Sequence, residues 1–418
     1  MKWYLTLLTA LLVKISLFAA IPKLDCSAQS AILISGQTGK VLFAKNETKL
    51  EFPASLTKIA TAIYALEKGK RRLGEKFYAS QTALGCISSS EKRKNNYNKY
   101  PPYILEHDMS HIGLKVGEEM TLGDLLYGLL IPSGDDAANV IAENISGSIP
   151  KFMDELNQFL KKIGCRNTHF VNPSGLHHPD HVTTAQDMAT LCYYAAKNEL
   201  FMEMVRTASY ERPTTNKQEK SLWTTTNKLL RRGSFYYPYA CGMKTGWHSK
   251  AEHCLAACAT KDNRLLIAIF FHCPERKQLF SETKRTFEKA FSEKRVDRVL
   301  LDAGAQNFEK SLSGADRLVM TYLTEKLTVS YYPSEEPQVR ALLQWDIPKL
   351  PIEKGAKVGT VQLLVDEVPM KQLPLLSQHR VEWSLWAYCK EKILFSLLIG
   401  GGILAAAFFV FWKRKPPL

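Results

Sequence analysis

The sequence lacks Cys-x-x-Cys pairs, although nine cysteines are spread along its 418 residues. Zinc ribbons and dithiol redox motifs require such pairs, so both classes are excluded. The chain also lacks an internal repeat and any excess of glycine (23) or proline (19), which excludes collagen-like and disordered proteins. What remains is the composition of a folded protein, 45% hydrophobic and 23% charged, in a chain long enough for more than one domain.

The N-terminus has the features of an export signal. Lys2 precedes an apolar run over residues 5–13, and small residues follow at Ala19 and Ala20. This pattern predicts a signal peptide over residues 1–20. Lys14 interrupts the apolar run, which leaves a disordered hydrophobic start as the alternative.

The C-terminus contains twenty consecutive uncharged residues, 393–412, enough to cross a hydrocarbon core as a helix. Trp383, Trp386 and Tyr388 precede this run as interfacial aromatic residues, and the basic residues 413–415 follow it. The positive-inside rule places the tail in the cytoplasm. We therefore predict a transmembrane anchor at 393–412, with the rest of the mature chain exported to the outer, periplasmic face of the cytoplasmic membrane.

The formal net charge of +14 provides a basic surface that favours anionic partners. Export excludes nucleic acid as a partner, because intracellular DNA and RNA do not reach the exported domain. An anionic lipid or an anionic wall polymer remains. Cys254 and Cys258 fall on one face of a predicted strand, where they are either small buried hydrophobic residues or, in an exported protein, a pair open to oxidation.

Alternating apolar residues and turn residues predict two groups of strands with a helical region between them. A helix is expected after Pro53, and Thr121 and Thr184 each begin a capping box. The polar insert at 88–98 is predicted to be an exposed loop. The predicted strands are 30–35, 40–45, 242–247, 253–260 and 264–272.

The sequence pattern changes near Gly304, after a predicted basic helix at about 275–291. Short stretches rich in β-branched residues, separated by proline and glycine, predict a small all-β domain at 305–378. Its predicted strands are 318–323, 326–331, 339–345 and 356–365.

The candidate catalytic residues lie at the start of the first predicted helix, where Ser55 and Lys58 form an S-x-x-K motif. Because residues three apart share one helix face, the Lys58 amine can lie beside the Ser55 hydroxyl and act as its base. Taken alone, the motif is explained as well by a capped helix start that faces solvent.

Two further motifs strengthen the catalytic interpretation. Ser133, Gly134 and Asp135 lie in a turn between helical runs, and Lys244-Thr245-Gly246 lies on a predicted strand. Their order and separation match the serine active site of penicillin-recognising enzymes.

Four stretches that carry these motifs resemble the low-molecular-mass penicillin-binding proteins, the serine-type D-alanyl-D-alanine carboxypeptidases. The resemblance covers residues 24 to about 300 and extends to 358–376. It implies an α+β fold of the penicillin-binding protein and β-lactamase type, with an antiparallel sheet flanked by helices and an all-helical part inserted at about 80–230. The small β domain and the transmembrane helix would follow it. The four stretches are 53–62, 114–143, 170–189 and 243–259.

The resemblance also implies a role for each motif residue. Ser55 would attack the carbonyl between two D-alanines, Lys58 would be the general base, and Ser133 would pass a proton to the leaving amine. Lys244 and Thr245 would bind the terminal carboxylate of the substrate. The backbone amides of Ser55 and Trp247 would form the oxyanion hole, and Gly246 would let its strand approach the substrate.

The function implied is hydrolysis of the terminal D-Ala-D-Ala bond of peptidoglycan stem peptides, with β-lactam antibiotics bound at the same serine and no metal or organic cofactor. His177, His178, Asp180 and His181 resemble a metal cluster, but the family has a similar turn at this position. Endopeptidase action on cross-links is the enzymatic alternative, ahead of transpeptidation and β-lactamase activity. A catalytically weak wall-binding scaffold is the alternative from another class.

The sequence departs from the family pattern at three places. Asp135 stands where asparagine is usual, so an amide donor is missing. The insert at 88–111 is longer than expected and would border one rim of the site. The predicted C-terminal span replaces the amphipathic surface helix with which the family often ends.

Overall fold

A computed structural model describes residues 26–69 and 73–393 and divides them into two compact units. The described part of the first unit spans residues 26–293, and that of the second spans 294–393. The predicted signal at 1–20 lies outside the described residues, as does the predicted span apart from Ile393. Within the described ranges, no helix has both the length and the apolar composition needed to cross a membrane.

The first unit is built on a five-stranded antiparallel sheet with strand order β2-β1-β11-β10-β9. Its strands agree with those predicted within two residues, and the remaining strands of the unit form two-stranded ladders. In chain order the strands are β1 (Ser30–Ser35), β2 (Val41–Lys45), β3 (Lys76–Tyr78), β4 (Cys86–Ile87), β5 (Leu105–Glu106), β6 (Glu119–Thr121), β7 (Ser209–Arg212), β8 (Ser221–Thr224), β9 (Ala240–His248), β10 (Glu252–Lys261) and β11 (Arg264–Cys273).

Helices cover both faces of this sheet, which is why β11 is a continuous apolar run. Ile267, Ile269 and Phe271 join the larger core on one face, and the alternate residues Leu266 and Phe270 join the core beneath α8 on the other. The helices are α1 (Thr57–Gly69), α2 (Ser89–Lys94), α3 (Leu122–Leu130), α4 (Asp135–Ser146), α5 (Ile149–Lys162), α6 (Ala185–Ala195), α7 (Glu199–Arg206) and α8 (Arg276–Phe291).

The part between the strand groups is mainly helical, but the prediction that it is all-helical is wrong, because β4 to β8 form short ladders within it. Thr121 and Thr184 are N-caps, as predicted. The Thr121 hydroxyl accepts a hydrogen bond from the Asp124 amide at 3.1 Å, and the Thr184 hydroxyl accepts one from the Asp187 amide at 3.1 Å. Each bond satisfies an otherwise unpaired amide at a helix start. These two caps fix where α3 and α6 begin.

The segment 88–98 is largely exposed, as predicted, but it is not a loop, because residues 89–94 form α2. Ser88 caps α2 within this segment, and Lys92 is buried although charged residues surround it in the sequence. Its ammonium group donates to the carbonyl oxygens of Pro102 and Ile104 and lies 3.1 Å from the Glu106 carboxylate. A buried charge with a full set of acceptors gives the insert a polar core of its own.

The second unit consists mainly of β-strands over residues 296–377, and residues 385–393 are helical. One sheet has the strand order β13-β14-β18-β17-β16, and β12 pairs with β15 in a separate ladder. Because β12 pairs within this unit, the division falls before residue 294, whereas the catalytic domain was predicted to continue to about 300. The strands are β12 (Val296–Leu301), β13 (Gly304–Lys310), β14 (Val319–Leu323), β15 (Leu327–Tyr331), β16 (Val339–Trp345), β17 (Lys357–Val365) and β18 (Val368–Ser377).

Candidate active site

Ser55 lies in a single 3₁₀ turn, Ala54–Leu56, that leads directly into α1. The three-residue spacing predicted from the sequence holds here, because the Lys58 ammonium nitrogen donates to Ser55 Oγ at 2.9 Å. Ala54 has a positive φ of 47°, a conformation that costs energy for a residue with a side chain. The nucleophile candidate is thus presented by a strained turn at a helix start.

Lys58 is fully buried, at 0% exposed, and its ammonium group has three acceptors. Besides Ser55 Oγ, it donates to Asp135 Oδ1 at 2.5 Å and to the carbonyl oxygen of Ser174 at 2.7 Å. Three acceptors match the three donors of an ammonium group, so this lysine is held in one orientation. Ser174 was not predicted from the sequence as part of the site.

Asp135 is the first residue of α4 and brings the second motif to Lys58. The chain reaches it through Ser133, whose φ of 75° places another non-glycine residue in the left-handed region. Burial raises the pKa of Asp135, and the neighbouring Lys58 opposes that rise. Its second oxygen, Oδ2, is buried without a hydrogen-bond partner among the described residues. A carboxylate therefore occupies a position where one oxygen is paired and the other is not.

The third motif lies on β9, alongside the Ser55 turn. A Cβ atom at Gly246 would lie 2.9 Å from the Pro53 carbonyl oxygen and 3.1 Å from the Ser55 amide nitrogen. Only a glycine lets the strand pass this close to the turn. Lys244 is 1% exposed, and burial together with the charge of Lys58 lowers its pKa well below the usual range.

The two remaining predicted residues of this strand differ in their surroundings. The Thr245 and Thr226 hydroxyls share a hydrogen bond at 2.6 Å, so Thr226 orients the hydroxyl predicted to meet the substrate carboxylate. Trp247 presents its side chain to solvent, at 56% exposed. An aromatic side chain in this position can pack against a bound ligand.

His181 supports the turn that carries Ser55 through hydrogen bonds by way of Thr57. This role was not predicted from the sequence. Its Nδ1 accepts a hydrogen bond from the Val171 amide at 3.1 Å, which leaves the proton on Nε2. Nε2 is 2.8 Å from the Thr57 hydroxyl, which donates in turn to the Ala54 carbonyl oxygen at 2.9 Å. Burial lowers the pKa of His181 well below its usual range, so this relay is neutral at pH 7.

Aromatic and imidazole rings border the site beside Phe52, three residues before Ser55. The His177 ring packs edge-on against Phe52 at 4.7 Å and lies 5.1 Å from the His248 ring. Tyr97, from the insert, also packs edge-on against the His177 ring, with the ring centroids 5.0 Å apart. The insert therefore borders the site through Tyr97. Burial lowers the pKa of His177 to about 4 and that of His248 to about 3, so both rings are neutral at pH 7.

The histidines of the turn at 177–181 each have separate contacts. Within the residues that the structure describes, no group of three or more His, Cys, Asp or Glu side chains is placed to hold a metal ion. His178 Nδ1 accepts a hydrogen bond from the Asp180 amide at 3.1 Å, while the Asp180 side chain is mostly exposed.

Asp136 ties the insert to the start of α4 and was also missed from the sequence. Its carboxylate accepts hydrogen bonds from the backbone amides of Ile112, Gly113 and Leu114, all between 2.9 and 3.1 Å. Hydrogen bonds to a charged acceptor are among the strong ones in proteins. Asp136 therefore holds the end of the insert beside Asp135.

We predict that Asp136→Ala loosens this segment. Loss of a charged acceptor costs about 2 kcal/mol, so amides 112–114 should exchange with solvent about 30 times faster. Asp154→Ala is the control, because Asp154 is an exposed acid on α5. Hydrogen exchange followed by mass spectrometry measures both variants. Equal exchange at 112–114 in the two variants would contradict the assignment.

A family model described as D-alanyl-D-alanine carboxypeptidase matches residues 17–274. The chain is 30% identical to the D-alanyl-D-alanine carboxypeptidase DacF of Bacillus subtilis over 358 residues, which is 84% of this chain and 85% of the relative. It is 27% identical to the corresponding DacA of Haemophilus influenzae, with 81% of each chain covered. The solved structure of penicillin binding protein 5 from Haemophilus influenzae matches with a TM-score of 0.57 at 25% identity, covering 87% of this chain and 99% of that chain.

The helix-flanked antiparallel sheet, with half-buried Ser55 beside buried Lys58, is of the penicillin-binding protein and β-lactamase type. The chain belongs to the D-alanyl-D-alanine carboxypeptidase family and is a serine-type hydrolase. The predicted family and α+β fold are confirmed. The roles assigned to individual site residues stay predictions.

Proposed function

We propose that this protein removes the terminal D-alanine from peptidoglycan stem peptides through an acyl-enzyme on Ser55, and that penicillins acylate the same serine. The observation that carries the proposal is the 2.9 Å hydrogen bond between Lys58 and Ser55 Oγ inside the three-motif site. A serine hydroxyl becomes a strong nucleophile only with a base at hydrogen-bond distance, and Lys58 is placed there.

The remaining steps take the roles that the family resemblance implies for the other groups. In its neutral amine form, Lys58 takes the Ser55 proton as Oγ attacks the carbonyl between the two D-alanines, and the backbone amides of Ser55 and Trp247 would stabilise the oxyanion. Ser133 delivers a proton to the leaving amine, and water then hydrolyses the acyl-enzyme. Lys244, with Thr245 beside it, would bind the terminal carboxylate of the substrate, whose negative charge favours the protonated lysine and so opposes the burial and the Lys58 charge that lower the Lys244 pKa.

The direct test is mass analysis of the products that the purified chain forms from a stem pentapeptide ending in D-Ala-D-Ala. We expect release of one D-alanine and a shortened tetrapeptide, and no release from a pentapeptide ending in L-Ala-L-Ala. A cross-linked dimeric stem peptide, offered separately, measures endopeptidase activity. Cleavage of the cross-link without trimming of the pentapeptide would replace carboxypeptidase action by endopeptidase action as the proposed function.

One observation favours a second candidate, a penicillin-binding wall scaffold with weak catalysis. Asp135 places a carboxylate 2.5 Å from Lys58, so an anion competes with Ser55 for the same lysine and also repels the carboxylate of a substrate. A scaffold of this kind would bind stem peptides and turn them over slowly. The product analysis separates the two candidates, since a scaffold would leave nearly all the pentapeptide intact.

We also propose that the enzyme is exported and anchored in the cytoplasmic membrane through residues 393–412. The signal-like N-terminus and the uncharged C-terminal run support this, and Trp383 and Trp386 are exposed just before the run. An exported chain that ends at Lys390 is expected to be released from membranes and to remain active. Retention of that shortened chain on membranes would assign the attachment to another surface.

A further inference from the structure

Two cysteine side chains approach each other beside the strand that carries Lys244. Cys241 on β9 and Cys258 on β10 are both buried, and their Sγ atoms share a hydrogen bond at 2.8 Å. The sulfur atoms are thus about 0.8 Å further apart than in a disulfide bond. Cys254, the other cysteine of β10, lies four residues from Cys258 and has backbone oxygens of Phe52 and Ala251 as hydrogen-bond partners.

The approach depends on a local irregularity of the sheet. Cys258 is paired with Gly242, and the next register pair joins Ala259 to Ala240, so Cys241 is the extra residue of a β-bulge. In a regular ladder, neighbouring positions point to opposite faces, and Cys241 would face away from Cys258. Gly242 has a φ of 124°, which permits the bulge. Both cysteines join the same apolar core as a result.

The pair lies beside a groove of about 500 Å³ at the end of α7. The groove is lined in part by Arg206, Thr207 and Thr260, and the Thr260 hydroxyl is 3.7 Å from Cys241 Sγ. The hydrogen bond with Cys258 lowers the pKa of Cys241, and Thr260 and Arg206 lower it further. Burial raises the pKa of Cys258. Cys241 is therefore the better nucleophile of the two.

We propose that Cys241 and Cys258 are a redox modification site that closes to a disulfide and cross-links β9 to β10 beside Lys244. The oxidant belongs to the class of disulfides, either a small molecule or the disulfide of a partner protein. The Cys241 thiolate attacks one sulfur of the oxidant, and one thiol leaves. Cys258 then loses its proton and attacks Cys241 Sγ, which expels the second thiol. Two protein thiols lose two electrons, and the disulfide of the oxidant is reduced to two thiols.

Oxidised glutathione is a suitable probe, applied to the purified full chain before alkylation and trypsin digestion. Cys241 lies in the tryptic peptide 233–244, and Cys254 and Cys258 lie together in 251–261. We expect these two peptides to be joined, with the thiols of Cys241 and Cys258 both lost to alkylation. Reduction should separate them again. The exposed Cys389 serves as an internal reporter, because it should carry glutathione wherever the oxidant has acted.

Two matched variants assign the partner on β10. The joined peptides should persist in Cys254→Ser and disappear in Cys258→Ser. Joined peptides in Cys258→Ser, or separate peptides in a wild-type sample whose Cys389 carries glutathione, would overturn the proposal. The second of these outcomes is measured on the wild type alone. The proposal can therefore be overturned even if a substitution prevents folding.

Discussion

Replacement of Ser55 by alanine should abolish covalent labelling by a fluorescent penicillin. The serine Oγ is the atom that would become part of the acyl-enzyme, and an alanine provides no nucleophile. Removal of a catalytic serine typically costs on the order of 10⁶ in the rate of the chemical step. We therefore expect no adduct on Ser55→Ala after incubation that labels the wild type completely, and no trimming of the stem pentapeptide.

The same substitution should leave the fold intact. Lys58 loses one acceptor but keeps Asp135 and the Ser174 carbonyl, so the loss in stability should be about 1 kcal/mol. The thermal unfolding transition of the first unit measures this. A folded Ser55→Ala protein that still forms a stable adduct would show that another serine is the nucleophile.

Ser174→Ala is the matched control for a serine close to the same lysine. Ser174 contacts Lys58 through its backbone carbonyl, while its hydroxyl donates to Asn172 Oδ1 at 3.3 Å. Substitution by alanine keeps the carbonyl, so covalent labelling should persist. Equal loss of labelling in the two variants would indicate that general damage to the site, rather than removal of the nucleophile, explains the result for Ser55.

The sheet of the first unit was predictable because its strands have strong local signals. The hairpin of β1 and β2 surrounds a glycine-containing turn, and β10 and β11 are long apolar runs joined by Lys261-Asp262-Asn263. Asp262 and Asn263 both have positive φ, as the tight turn between these strands requires. Burial on both faces then follows from the continuous apolar pattern.

The insert was not predictable from the same kind of pattern. A segment with the sequence SSEKRKNN is typical of a solvated loop, and only tertiary contacts show that Lys92 is buried against Glu106 and two carbonyl oxygens. In the second unit, β18 was missed because Pro369 and Pro374 interrupt its pattern, and β12 and β13 were missed because they are largely exposed strands with charged residues. The identity of β12 and β13 as strands comes from pairing with β15 and β14.

The three motifs of the site were predictable, but the contacts between them were not. The S-x-x-K spacing predicts that Ser55 and Lys58 are neighbours on one helix. No spacing predicts that Ser174 accepts from Lys58, or that His181 supports the turn through Thr57, because these partners come from distant parts of the chain. The bulge that brings Cys241 to Cys258 has only one local signal, a glycine at 242 inside a strand.

Asp135→Asn should accelerate acylation of Ser55 by tenfold or more. In the wild type, the Asp135 carboxylate lies 2.5 Å from the Lys58 ammonium in a site where both groups are buried. That anion competes with Ser55 for Lys58, and it also repels the carboxylate of an approaching substrate. An asparagine removes the charge and keeps an oxygen acceptor for Lys58. It also places an amide donor where the unpaired Oδ2 now lies.

Stopped-flow acylation by a penicillin measures this difference directly, with a tenfold change in rate equal to about 1.4 kcal/mol of transition-state stabilisation. Asp136→Asn is the matched control, since it makes the same change in net charge one residue away, where the carboxylate accepts from amides 112–114 instead of from Lys58. Faster acylation in Asp135→Asn alone would assign the effect to the contact with Lys58. If that variant acylates at the wild-type rate or more slowly, the carboxylate positions Lys58 productively, and the unpaired oxygen belongs to a site adapted to an acid.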